Sequence, residues 1–102
     1  MHIITRLDRG GSAQNTIDTC IGLADQFQTT LVCGLARESR MTGAERLSVT
    51  QALERARGAG VNVVSLPELV RRIAPLHDLA AFVKLLALIR RERPDIVHTH
   101  TS

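Results

Sequence analysis

The chain has 102 residues, 44 % of them hydrophobic and 23 % charged, a composition that argues against a disordered tail and leaves room for one domain with one modest core. Thirteen Lys and Arg stand against ten Asp and Glu, for a net charge of +3, but the basic residues are spread along the chain and interleaved with acids. Nucleic acid calls for a concentrated basic face, and with Phe27 and Phe82 as the sole aromatics there is no base-stacking platform, so no nucleic-acid partner is expected.

The run His2-Ile3-Ile4-Thr5-Arg6-Leu7 is apolar and β-branched and predicts a short buried strand, ended by Asp8-Arg9-Gly10-Gly11. Ile17, Cys20, Ile21 and Ala24 then recur at i, i+3, i+4 and i+7, one face of a helix from about Ser12 to Gln26 with Ser12 as its N-cap. Thr29 to Cys33 predicts a second strand, closed by Gly34, and the Arg-rich stretch from Leu35 to Gly43 reads as a surface loop. Val49, Ala52, Leu53 and Ala56 share one face of a second helix, which Gly58 and Gly60 stop before a third strand from Val61 to Leu66. Pro67 and Pro75 bracket a connector with room for one helical turn.

The third helix takes Asp78 as its N-cap and sets Leu79, Phe82, Val83, Leu86 and Ile89 on its buried side. Arg90, Arg91 and Arg93 crowd its end, where cations oppose the partial negative charge of the helix dipole; contact with anionic lipid head groups is the other reading of that run. Pro94 ends the helix, and Asp95 to Thr99 follows as a fourth strand. Strands alternating with helices predict an α/β, Rossmann-like parallel sheet of about four strands in the order 3-2-1-4, with helices on both faces and the first and fourth strands adjacent at the switch point.

Arg6 and Asp8 break the first apolar segment too early for a secretory signal, and Lys84 breaks the longest apolar region, well short of the roughly 20 residues a membrane span needs. Cys20 and Cys33 form no CxxC pair and read as buried small hydrophobes of a reducing, cytoplasmic compartment; neither has a base beside it to make it a nucleophile.

Two constellations carry chemistry. Gly10, Gly11 and Ser12 join the first strand to the first helix, where glycines permit close backbone approach and the free N–H groups of a helix start attract an anion. The segment fits neither GxGxxG nor a P-loop, so a ligand contact and a plain tight turn both remain open. The second constellation is His98-Thr99-His100-Thr101-Ser102, at the carboxyl end of the fourth strand, where ligands of open α/β sheets sit. His98 and His100 share a face if the strand extends that far, but no Asp, Glu or Cys cluster supplies further ligands, so no metal is expected there; a histidine donating to a neighbouring carbonyl is the plain alternative. His2, at the amino end of the first strand, and His77, in the connector, are expected to be solvated.

The segments ITRLDRGGSAQNT (4–16), ELVRRIAPLHDL (68–79) and RRERPDIVHTHTS (90–102) together resemble the N-terminal domain of family 4 glycosyltransferases, retaining enzymes of the GT-B architecture, in which two Rossmann-like domains face each other across a cleft. The resemblance implies transfer of a sugar from a nucleotide-sugar donor to a lipid-linked or saccharide acceptor, at the cytoplasmic face of the plasma membrane and without a metal or other cofactor. It sets Gly10, Gly11 and Ser12 against the donor diphosphate and the acceptor, and makes His100 the catalytic contact to the donor sugar, with His98, Thr101 and Ser102 on the same cleft wall. Nothing in residues 1–102 corresponds to the family's second domain, so the expectation is a partial, acceptor-side domain, inactive by itself, whose fourth strand is an open edge inviting self-association. A small noncatalytic Rossmann-like module that binds a nucleotide or a protein is the alternative.

Overall fold

A computed structural model describes residues 1–5, 7, 11–34, 42–69 and 75–100, with Gly11 and Ser12 described by their backbone alone. Its elements in chain order are β1 (His2–Ile4), α1 (Gly11–Leu23), β2 (Thr30–Cys33), α2 (Gly43–Gly58), β3 (Asn62–Ser65), α3 (Pro75–Glu92) and β4 (His98–His100). The strands form one parallel sheet in the order β3-β2-β1-β4, as the alternation of strands and helices predicts.

Each helix follows from local chemistry. Ala13, Ile17 and Cys20 present one buried face of α1 to Ile4, Leu7, Leu31 and Cys33. Thr42 caps α2: its side-chain oxygen accepts from the Glu45 backbone N–H at 3.2 Å, and its hydroxyl lies 3.3 Å from the Glu45 carboxylate. Gly60, at φ +97°, supplies the left-handed turn that leads from α2 into β3, which suits glycine alone at no steric cost. Pro75 opens α3, where a missing N–H costs nothing, and Asp78 falls in the first helical turn instead of at the cap.

The helices divide the core in two. On one face Ile4, Leu7, Ala13, Ile17, Cys20, Leu31, Cys33, Ala52, Ala56 and Val61 pack together beneath α1 and α2, with Val49 and Leu53 at the margin as the α2 spacing predicts. On the other, Ile3, Val32, Leu66 and Leu88 form a smaller cluster beside α3. Gly34 follows β2 where backbones converge: its N–H donates to the Ile4 carbonyl at 3.2 Å, and a Cβ there would collide with the carbonyl oxygens of Thr5 and Leu69.

Two expectations need correction. The face of α3 read as buried is largely open, with Leu79, Phe82, Val83 and Leu86 exposed, while Ala81 and Leu88 are the residues it buries. Helical spacing identifies an apolar stripe but not its partner, and the sheet offers α3 only the narrow patch around Ile3, Val32 and Leu66. The fourth strand is also displaced, from 95–99 to His98–His100, because its ladder is set by β1: Met1 accepts from the His98 N–H at 2.8 Å, and Ile96 and Val97 lie exposed ahead of the pairing.

Candidate functional site

β1 and β4 pair in parallel with the register His2↔His98, Ile3↔Thr99 and Ile4↔His100. Side chains alternate across a strand, and directly paired residues share a face, so His2, His98 and His100 all project toward the α1 side, where Ile4 joins the core. The spacing argument for His98 and His100 therefore holds, and a third imidazole joins them. The His2 Nδ1 and His100 Nε2 atoms lie 3.1 Å apart, with the donor set by the tautomer. His98 stacks on His100 with ring centroids at 4.1 Å, and His2 sits 5.3 Å from His100 and 5.5 Å from His98.

The expectation that His2 is solvated is thus overturned: its residue is 8 % exposed. A ladder of three residues is too short to separate an amino from a carboxyl edge, and the first residue of β1 reaches the last of β4 diagonally across two positions. The strand order 3-2-1-4 carries the signal, since it makes the first and fourth strands neighbours and brings any histidine of one beside those of the other. His77, by contrast, is exposed on α3, as expected.

Burial holds the His2 imidazole below its ordinary range, and the adjoining His100 ring, the Met1 ammonium and His98 push the same way. His100 is lowered as well, first by burial and then by His98. The Met1 ammonium is itself anchored, donating to the Ile96 carbonyl at 2.8 Å. His2 and His100 are thereby biased toward their neutral forms, and the three rings together can offer nitrogen lone pairs and N–H donors to a polar ligand.

The glycine turn is described in part. Gly11 is the first residue of α1, reached from the carboxyl end of β1, and the residue paired with that strand end is His100. Gly10, Thr101 and Ser102 lie outside the described residues, as does the side chain of Ser12. On the opposite face, a shallow groove of about 290 Å³ lies between β3 and α3, lined by Val64, Leu66, Lys84, Ala87, Leu88 and Arg91 and containing none of the candidate site residues.

Residues 10–102 match the model of a glycosyl transferase 4-like domain, a span that includes the start of α1, all of α3 and the β4 histidines. The chain belongs to this family. No curated protein and no solved structure matches it. The four-stranded parallel sheet and its three helices fit a Rossmann-like domain of the GT-B kind. Membership in this glycosyltransferase family gives the chain a glycosyltransferase-type function, with a sugar donor and an acceptor as its substrate classes. Among the described residues, no helix is long and apolar enough to cross a membrane.

Proposed function

We propose that this chain supplies the acceptor-side half of a retaining glycosyltransferase site, for transfer of a hexosyl group from a nucleotide-sugar donor to a lipid-linked or saccharide acceptor in polysaccharide assembly, at the cytoplasmic face of the membrane. The observation that carries the reading is the family match over residues 10–102, which takes in both the glycine turn and the strand-end histidines. The pairing of His100 with the last residue of β1 supports a common rim for the two groups.

Within that reading, the turn at Gly10, Gly11 and Ser12 approaches the donor diphosphate and the acceptor. The N–H groups at the start of α1 act there as anion donors. His100 donates a hydrogen bond to the donor sugar or to charge developing on it in the transition state, and its lowered basicity favours the neutral ring. His98, Thr101 and Ser102 complete the same wall. In the family resembled, a second domain stabilises the departing diphosphate, so residues 1–102 by themselves bind without turning over.

The test is saturation-transfer NMR of the purified chain against a set of nucleotide sugars and the matching free nucleotides, combined with a product assay. Sugar-proton contacts that depend on His100 and vanish in His100→Ala, with no release of nucleotide diphosphate, are the expected result. Turnover by the chain alone would overturn the division of labour, and contacts to the nucleotide that ignore both the sugar and His100 would favour a noncatalytic nucleotide-binding module.

A further inference from the structure

We propose that His2, His98 and His100 form a binding site for a divalent transition-metal ion of the zinc class at the junction of β1 and β4. The inference stands on the histidine geometry and does not depend on the sugar-transfer reading. One ligand nitrogen from each of the three rings lies within 4.8 Å of the others, and the closest pair, His2 Nδ1 and His100 Nε2, is at 3.1 Å. Zinc–imidazole bonds of about 2.0–2.1 Å in a tetrahedron set ligand nitrogens roughly 3.4 Å apart, so two of the three already stand near the required separation. The third reaches it by side-chain rotation, with no change in the strand register that holds the Cα positions.

The chemistry of the donor set selects the ion. All three ligands are imidazoles and, among the described residues, no carboxylate belongs to the cluster, a donor set that suits zinc, cobalt, nickel or copper over calcium and magnesium, ions that demand oxygen ligands. Two neutral rings can satisfy each other with only one hydrogen bond, and each imidazole keeps a single in-plane lone pair, so a cluster of three has more acceptor capacity than it uses internally. The burial gradient gives the site a floor and a mouth: His2 is buried, His100 half-buried and His98 exposed, which leaves the fourth coordination position open to water. Two ligands come from one strand and the third from its hydrogen-bonded neighbour, so occupancy ties the edge strand β4 to β1.

The experiment uses the full chain freed of any polyhistidine tag, titrated with Zn(II) against a chromophoric chelator and with Co(II) by visible absorption. The expected result is a single equivalent of Zn(II) and the intense visible bands of tetrahedral Co(II). His98→Ala, an exposed position that leaves the fold intact, should weaken Zn(II) by more than the roughly 10–100-fold that loss of an outer-shell partner costs. His100→Ala should do the same, while His77→Ala on α3 leaves affinity unchanged. As a measurement that needs no variant, the ring nitrogens of His2, His98 and His100, and not those of His77, should shift together in imidazole NMR as Zn(II) is added. No binding, octahedral Co(II) spectra, or affinity indifferent to His98→Ala would overturn the proposal.

Discussion

Toward α1 and α2, the sheet buries Ile4, Leu31 and Cys33 against Ala13, Ile17, Cys20, Ala52 and Ala56, and every one of these is at most 6 % exposed. Toward α3, the same sheet offers Ile3, Val32 and Leu66, and the helix answers with Leu88, while Leu79, Phe82 and Val83 stand more than half exposed. What holds α3 besides Leu88 and Leu85 includes an ion pair, Lys84 to Glu68, which solvent screens and which adds little to stability. The α3 stripe of Leu79, Phe82, Val83, Leu86 and Ile89 is no less apolar than those of α1 and α2, so the difference lies in the surface they meet. Two helices packed side by side share the first face of the sheet, whereas among the described residues α3 is the one helix on the other face and covers only part of it.

The comparison is broken most directly by paired truncations. Leu31→Ala empties a fully buried position among residues that cannot all relax, and should cost about 3–5 kcal/mol in urea unfolding. Leu88→Ala removes the same atoms from the open side, where water and neighbouring side chains fill the gap, and should cost about 2 kcal/mol. Equal costs would show that α3 is packed as tightly as α1, and the contrast between the two faces would fall.

How much of this was legible beforehand differs by region. The order β3-β2-β1-β4 followed from alternating patterns and the right-handed crossover rule, which need no knowledge of side-chain partners. The α2 stripe of Val49, Ala52, Leu53 and Ala56 was read correctly because glycines bound it and a single sheet face receives it. The Thr42-to-Glu45 capping box stands in the sequence as T-x-x-E, a local signal for the helix start that the polar, Arg-rich composition of Leu35 to Gly43 masks. The open face of α3 was not legible, since amphipathicity records a preference for burial and not the area available. The place of His2 is not legible from its position at the amino end of β1, because a three-residue strand has no distant ends and the register His2↔His98 makes it part of the histidine group.

A subtler probe of the sealed face uses its thiols. Burial pushes Cys20 up to about 11 from 9.0, and Cys33 upward as well against the opposing influence of Ser65 and Arg57. A thiol with a raised folded-state pKa holds its proton where the unfolded chain has lost it. Stability is therefore unaffected below about pH 9, falls as pH climbs from there, and stops falling above the folded value near 11. Native chain at pH 8 should resist iodoacetamide at both cysteines and react promptly in urea. Rapid alkylation of the native chain, or a flat stability profile between pH 9 and 11, would mean that water reaches this side of the sheet too.

The smallest effect is the sharpest discriminator, because the two ways of reading α3 give it opposite sizes. If Phe82 were the buried residue its spacing suggests, replacing it with a small polar side chain would cost about 3–5 kcal/mol, as for any large core truncation. Phe82 is 63 % exposed, and a surface substitution away from caps and networks stays within about 0.5 kcal/mol. Phe82→Ser should accordingly leave the urea midpoint and slope almost unchanged while removing apolar surface from water. A loss above about 2 kcal/mol would place Phe82 against a partner surface and restore the helix face to the core, whereas a neutral result keeps Phe82 on the solvent side of α3.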